Sequence, residues 1–398
     1  MMPLLERVRV LELTTIVMGP FAGQILADLG AHVTKVEPIE GDLARSTSPH
    51  PSGLSALYVN NNRNKRAVAI DLKSDAGKEV LRRLIARSDV LLHNMREDAA
   101  QRLGLGFDAA AAINPDIIYC SAMGFGQRGR YRGRPAFDDV IQAAAGLAGM
   151  SQYNGDEPRF APTILADKVG ALYAVYGILA ALVARARGRV GAIRVEVPMF
   201  EVLSSFLLNE HLAAATFDEE GRTGYSRVLS RNRRPFRTRN GWIAVLPYTA
   251  QQWRRFFTEA GRMDLLAQPW FDSAEGRHAH IDELYGAIAA VLPERDTANW
   301  IDVLSRLDVP CSEVKNLEEL LRDPHLDDIG FFNVGSSYPP EIKRMLPQPV
   351  VFAGVAAKAD VPPRSLGADT RAVLNECGYS SAQIDDMASQ KKIFAQPP

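Results

Sequence analysis

The sequence predicts an α/β protein. Its large domain holds a doubly wound, Rossmann-like sheet and is built from the N- and C-terminal parts of the chain; a smaller α+β domain lies between them. Three observations point there. Short alternating or apolar runs at 7–13, 32–37, 67–72, 89–94 and 116–122 read as strands. Helical patterns separate these runs, and strand–helix alternation implies parallel strands joined by right-handed crossovers. At 398 residues the chain also exceeds one ordinary domain.

Taken in order, RVRVLEL alternates as a strand and runs into the loop TTIVMG. Pro20 suits a first helical position, and FAGQILADL makes a helix with Gly30 as its stop. HVTKVE is the second strand. The loop TTIVMGP is not the GxGxxG phosphate fingerprint, which argues against a nicotinamide or flavin dinucleotide. AVAIDL is the third strand, and Ser74 can cap the helix DAGKEVLRRLIARS. DVLLHN, helical segments at 97–103 and 108–113, and DIIYCSA continue the pattern. Ligands of such sheets bind beyond the carboxyl ends of the strands. Those ends fall here at 14–18, 37–38, 72–73, 94–96 and 122–126.

Between the fifth strand and the next helix, GFGQRGRYRGRP alternates glycine with Arg128, Arg130, Arg132 and Arg134. It reads either as a solvated loop or as a basic edge near an anionic ligand. Next comes PTILADKVGALYAVYGILAALVARARGR, in which Asp167 precedes an uncharged run at 169–183. Val169, Leu172, Tyr173, Tyr176, Leu179, Ala180 and Val183 recur at helical spacing, and apolar residues fill most other faces. The expectation is a helix buried nearly all round. Asp167 sits where an N-cap would. It is either a cap or a carboxylate held at the mouth of a buried site. The helix dipole favours the ionised form there, and an ionised carboxylate can act as a nucleophile.

AIRVEVPMFE reads as a strand and SSFLLNEHLAA as a helix; residues 217–241 are then polar and rich in Arg and Gly. GWIAVLPY opens a second unit with helices at 250–260, 281–291 and 297–306 and the segment VPCSEV. PPRSLGADTRAVLNECG reads as a loop and a return helix stopped by Gly378. The expected division is 1–215 for the first part of the large domain, 216–240 as a linker, 241–325 as the small domain, and 326–398 as the return to the large domain.

Composition narrows the function. Net charge is −1 and no run of five like charges occurs, which argues against nucleic acid and against a polybasic membrane anchor. Three widely spaced cysteines fit neither a disulfide framework nor a zinc site and suggest a reducing compartment. Glu6, Arg7 and Arg9 interrupt the stretch where a signal peptide needs an apolar run, and 15 uncharged residues at 169–183 are short for a membrane span. The expectation is a cytoplasmic protein without a metal site.

Several blocks resemble one family in order along nearly the whole chain. They are VLELTTIVMGPFAGQILADLGAHVTKVEP, NKRAVAIDLKSDAGKEVLRRLIARSDVLLHN, IYCSAMGFGQRG with GRPAFDDVIQAAAGL, ADKVGALYAVYGILAALVAR, VPCSEVKNLEELLRDPHL and SLGADTRAVLNECG. The chain is similar to the class III CoA-transferases of the formyl-CoA and carnitine CoA-transferase type. The resemblance implies acyl transfer through Asp167. The carboxylate attacks a donor thioester to give a mixed anhydride and CoA thiolate; the thiolate then makes an aspartyl-CoA thioester, from which an acceptor acid leaves as a new acyl-CoA. Acyl-CoA and a small carboxylic acid are thus the implied substrates, with no tightly bound cofactor. Water must be excluded for such a chain of activated acyl groups to survive. By position, the resemblance places CoA contacts at Val17, Met18, Asp71, Leu72, Lys73, Asn94, Met95, Arg96, Arg102, Arg134 and Phe137. Arg102 is the preferred phosphate partner, since guanidinium forks match phosphate oxygens. The family also forms an interlocked homodimer.

Three departures from the family pattern matter. Val17 stands where formyl-CoA transferases have Gln, and no counterpart of their Gly-rich lid is found; both argue against oxalate and formate. Pro38 stands where an Arg often holds the nucleotide, so that role must pass to another base, with Arg45, Arg63 and Arg66 as candidates. Phe137 stands where the related α-methylacyl-CoA racemases carry a catalytic His, with His93 and His211 the nearest histidines by sequence. A racemase needs a base on each face of the α-carbon, so transferase is preferred over racemase. The apolar Val17, Met18 and Phe137 suggest succinyl-CoA or another short or branched acyl-CoA as donor.

Overall fold

A computed structural model describes residues 3–47, 55–332, 334–355 and 360–396. It divides the chain into two units. The first holds residues 1–148, 160–207 and 330–398, and the second holds 149–159 and 208–329.

The first unit is built on a seven-stranded sheet. Its strands β1 (Arg9–Leu13), β2 (His32–Glu37), β3 (Lys65–Ile70), β4 (Val90–His93), β5 (Ile118–Met123) and β6 (Ile193–Pro198) are parallel. Their order across the sheet is β3-β2-β1-β4-β5-β6, and a short strand at Ile393–Phe394 closes the β3 edge antiparallel. The chain reverses direction across the sheet between β1 and β4, where Leu13 stands beside His93. Open α/β sheets have a ligand crevice at such a switch point.

Helices cover both faces. They are α1 (Met18–Asp28), α2 (Ala56–Asn62), α3 (Asp75–Ala86), α4 (Glu97–Arg102), α5 (Phe107–Ile113), α6 (Asp138–Ala144), α7 (Leu165–Ala186) and α8 (Met199–His211). Ser74 caps α3 by accepting from the Gly77 N–H at 3.1 Å, as its spacing predicts. Pro20 is the third residue of α1 and not the first, because the helix already starts at Met18. One apolar layer gathers Val10, Val33, Val90 and Ile118 under α1 and α7; the other gathers Leu11, Val68, Leu91 and Tyr119 under α3, α5 and the return helix Thr370–Glu376.

Helix α7 corrects the sequence reading twice. Only one side of it is buried, through Ala166, Val169, Ala171, Ala174, Val175, Ile178 and Ala181, which pack on α1, β5 and β6. Leu172, Tyr176 and Val183 on the other side are 54%, 59% and 51% exposed. Four alanines among the buried positions let the helix lie close on the sheet, while Leu172 and Tyr176 point outward. By length and composition α7 could cross a membrane, yet here it is a core helix of the fold. The second correction is that Asp167 is not the N-cap. Ile164 holds that place and Asp167 is the third helical residue.

The second unit has a three-stranded antiparallel sheet of Phe236–Arg237, Trp242–Val245 and Cys311–Glu313. Helices Ala250–Glu259, Ile281–Val291 and Thr297–Arg306 stand where the periodicity predicts them. Trp253, Phe256, Phe257, Tyr285 and Trp300 fill its core. The stretch read as a linker at 216–240 is part of this unit. Its Thr238 and Thr297 hydroxyls share a hydrogen bond of 2.7 Å, Asn232 donates to the Asp282 carbonyl at 3.1 Å, and Ser230 donates to the Asp282 carboxylate. Its polar residues therefore serve as internal partners and not as a solvated tether.

Candidate active site

A cleft of about 380 Å³ opens at the switch point, lined by Thr15, Ile16, Met18, Asn94, Arg96, Met123, Gly124, Arg134, Phe137, Asp167 and Met199 among others. Each strand end that the topology brings there contributes: residues 14–18 after β1, 94–96 after β4 and 122–124 at the end of β5.

The loop after β1 is held at nearly every backbone polar group. The Thr14 carbonyl accepts from Lys35 Nζ at 2.7 Å. Asn94 accepts from the Thr15 N–H at 3.1 Å and donates to the Thr15 carbonyl at 2.9 Å. The Ile16 N–H donates to Asp42 Oδ1 at 3.2 Å. Ile16 has φ +70°, a left-handed conformation that a β-branched residue adopts only under constraint. From this turn the chain enters α1, whose first N–H groups have no partner inside the helix. One of them, that of Met18, stands near enough to the Asp167 carboxylate to favour its ionised form.

Asp167 faces the cleft from the first turn of α7. Gly170, one turn further along, lets α7 lie against Met18, since a Cβ there would come within 2.6 Å of the Met18 Cε. The Asp167 N–H donates to Asp138 Oδ1 at 3.1 Å, and Asp138 Oδ2 accepts from Gln142 Nε2 at 2.6 Å. Gln142 also accepts from the Ala161 N–H at 2.8 Å and donates to the Thr163 carbonyl at 3.2 Å, fixing the approach to α7. Burial pushes the Asp167 carboxyl up to about 6, and the Asp138 carboxylate adds to the shift; the Met18 N–H opposes it. Burial and a like charge thus outweigh the helix dipole, which alone would favour ionisation. A carboxylate with this pKa is still largely ionised at neutral pH and is more basic than an ordinary aspartate, which favours it as a nucleophile.

The structure gathers six of the residues expected from the sequence: Met18, Asn94, Arg96, Arg134, Phe137 and Asp167 all line the cleft. Asn94 faces it while clamping the Thr15 backbone. Arg134 lies with its guanidinium 4.4 Å above the Tyr131 ring. Val17 is 2% exposed and serves as the N-cap of α1. Met95 packs on the apolar layer that holds Leu91 and Tyr119. Asp71, Leu72 and Lys73 form the turn after β3, where Asp71 accepts from the Lys73 N–H at 3.0 Å. Arg102 lines a different depression, with Lys78, Arg82 and Gln101.

The three arginines offered in place of a base at Pro38 are already engaged. Arg45 pairs with Glu37 at 2.7 Å and lies over Tyr58, Arg63 pairs with Asp28, and Arg66 makes a two-pronged contact with Glu376 at 2.8 Å for each bond. Among the described residues no histidine lines the cleft. His93 is buried, bonded to Tyr119 at 2.8 Å, and held down to about 4 by burial. Sequence reasoning missed Asp138 and Asp42. The doublet Asp138–Asp139 at a helix start was the one available signal for the first.

The family description "CoA-transferase family III" matches residues 5–370. Acetyl-CoA:oxalate CoA-transferase of Acetobacter aceti is 30% identical, over 79% of this chain and 82% of that one. Human succinyl-CoA:glutarate CoA-transferase is 28% identical, over 97% and 89%. The crystal structure of a CaiB/BaiF family protein from Brucella suis superposes with a TM-score of 0.79 at 27% identity, covering 94% of this chain and 99% of that one.

Proposed function

The chain belongs to CoA-transferase family III, and on that premise we propose that it moves coenzyme A from a donor acyl-CoA to a free carboxylic acid, with Asp167 as the covalent carrier in between. The observation that supports this most is a half-buried carboxylate at the switch-point cleft, made basic by its surroundings and sharing that cleft with the first residue of α1.

In this reading the Asp167 carboxylate attacks the thioester carbonyl and expels CoA thiolate, leaving a mixed anhydride. The thiolate attacks the Asp167 carbonyl, releasing the donor acid and forming an aspartyl-CoA thioester. The acceptor carboxylate attacks that carbonyl and expels thiolate again. The thiolate then takes the acceptor acyl group, and Asp167 is freed as a carboxylate. No net proton is consumed, so the site needs no general acid. The Met18 N–H is placed to stabilise oxygen charge developing on the aspartyl group. Arg96 and Arg134 are the cationic groups at the rim and take the CoA phosphates. Ile16, Met18, Met123, Phe137 and Met199 give the cleft an apolar wall, which favours a short or branched acyl chain. The exposed Leu172, Tyr176 and Val183 on α7 fit the expected homodimer as a face covered by a second copy.

The test is direct. Incubation with succinyl-CoA followed by hydroxylamine is expected to convert Asp167 to a hydroxamate, read as a mass change on the peptide that contains it. An unmodified peptide across a panel of acyl-CoAs that the enzyme turns over would refute the acyl-carrier role.

The pH profile follows from the same group. Only the ionised form attacks, so kcat/KM is expected to fall about tenfold per pH unit below about 6. Asp138→Asn removes the like charge but keeps an oxygen for the Asp167 N–H. The acid limb should therefore move to lower pH; a limb that stays in place would mean that Asp138 does not influence Asp167.

A further inference from the structure

We propose that Asp42 is a positioning residue for acyl transfer, holding Ile16 in its left-handed turn and thereby aiming the Met18 N–H at Asp167. The inference rests on the reading of Asp167 as the acyl carrier.

Asp42 lies before a short helical turn at Leu43–Arg45, well away from Asp167 in sequence, and is 3% exposed. Its Oδ1 is shared by two backbone donors, the Ile16 N–H at 3.2 Å and the Ala44 N–H at 2.9 Å. Its Oδ2 pairs with the buried Lys35 ammonium at 3.0 Å. Its own N–H donates to Glu37 Oε1 at 3.0 Å, and Glu37 is held in turn by Arg45 and Tyr58. Asp42 is thus a rigid fixture attached to the loop after β1 at a single backbone atom, that of its one residue with positive φ. Without that bond Ile16 is expected to relax toward negative φ, which costs a β-branched residue less. Relaxation would swing residues 17 and 18, because no side chain caps α1 at Val17. The Met18 N–H would then leave the Asp167 carboxylate. Lys35 acts on the same loop from the other side through the Thr14 carbonyl, so the pair Lys35 and Asp42 grips both ends of the turn.

Position and charge can be separated by substitution. Asp42→Ala removes the acceptor for the Ile16 N–H. It is expected to lower kcat about 10²-fold, as a misplacement on the ångström scale does, with KM for acyl-CoA within roughly twofold. The acid limb of the rate profile should rise, since the N–H that holds the Asp167 pKa down is withdrawn. Asp42→Asn keeps the oxygen without the charge and should restore kcat to within about threefold of wild type. Asp42→Glu keeps the charge but displaces the oxygen, so it should behave like Asp42→Ala; it carries the test if alanine prevents folding. Melting curves establish which variants fold. A folded Asp42→Ala or Asp42→Glu with wild-type kcat and an unmoved acid limb overturns the proposal, as does a folded Asp42→Asn as slow as Asp42→Ala. Asp167→Ala is assayed in parallel. If it still transfers CoA the parent reading fails; if it does not, a null result at position 42 defeats the positioning role alone.

Discussion

Asp167→Asn is expected to lose CoA transfer by at least about 10⁴-fold, the scale on which removal of a nucleophile is felt, while the folded protein becomes more stable above pH 6. The two effects have one cause. The carboxyl stands at about 6 in the folded chain against an ordinary value of 3.8. A folded value above the unfolded one means that this group favours folding only while protonated. Its contribution is full below about pH 4 and is lost as pH rises through about 6. At neutral pH the ionised Asp167 therefore costs the fold up to ~3 kcal/mol, and an amide of the same shape removes that cost. Denaturant melts at pH 5 and pH 8 check this: the gain should be present at pH 8 and shrink at lower pH. Loss of activity with gain of stability separates a missing nucleophile from a damaged fold. An inactive variant that is less stable than wild type at pH 8 would count against the electrostatic account.

Glu12→Ala is expected to be the most damaging single change to the fold. Glu12 is fully buried in β1, its carboxylate 3.2 Å from Lys35 Nζ and 2.9 Å from Lys65 Nζ, and it accepts from Thr14 Oγ1 at 2.8 Å. A charge of either sign so far from water persists only when paired. Gly23 of α1 makes room for it, since any side chain there would fall on the carboxylate. Removing Glu12 leaves the buried Lys65 ammonium without a carboxylate partner and Lys35 with Asp42 alone, and breaking a buried pair in this way costs about 3–5 kcal/mol. Lys65 is already pulled down to about 8 by burial, so its share of the deficit should shrink as pH rises past about 8, where it gives up its proton in either protein. Urea titrations at pH 7 and pH 9 measure both statements. A deficit under 1 kcal/mol at pH 7 would show that the lysines find other partners.

The buried cluster also shows where reading a sequence stops. RVRVLEL alternates in the manner of a strand with one wet face, and by that pattern Glu12 belongs outside. A parallel sheet is covered on both faces, so the alternation instead sorts residues between two dry layers. Nothing local in the sequence distinguishes the two cases. The same holds for Asp42, whose partners Ile16 and Lys35 come from the loop after β1 and from strand β2. It holds too for Arg45, Arg63 and Arg66, which look free in the sequence but are each taken by a carboxylate.

By itself the sequence determined the order of strands and helices, the family, and the carboxylate at the head of a long apolar helix, because periodicity, caps and motif order are short-range properties written along the chain. It also marked five further residues that do line the cleft, since strand ends of a doubly wound sheet converge by topology. Only the tertiary structure decided which side of α7 is covered, that Asp138 stands beside Asp167, and that Ile16 is held in a strained turn by Asp42. Those facts depend on which groups far apart in the chain meet in a medium of low dielectric, where a single unpaired charge outweighs any local preference.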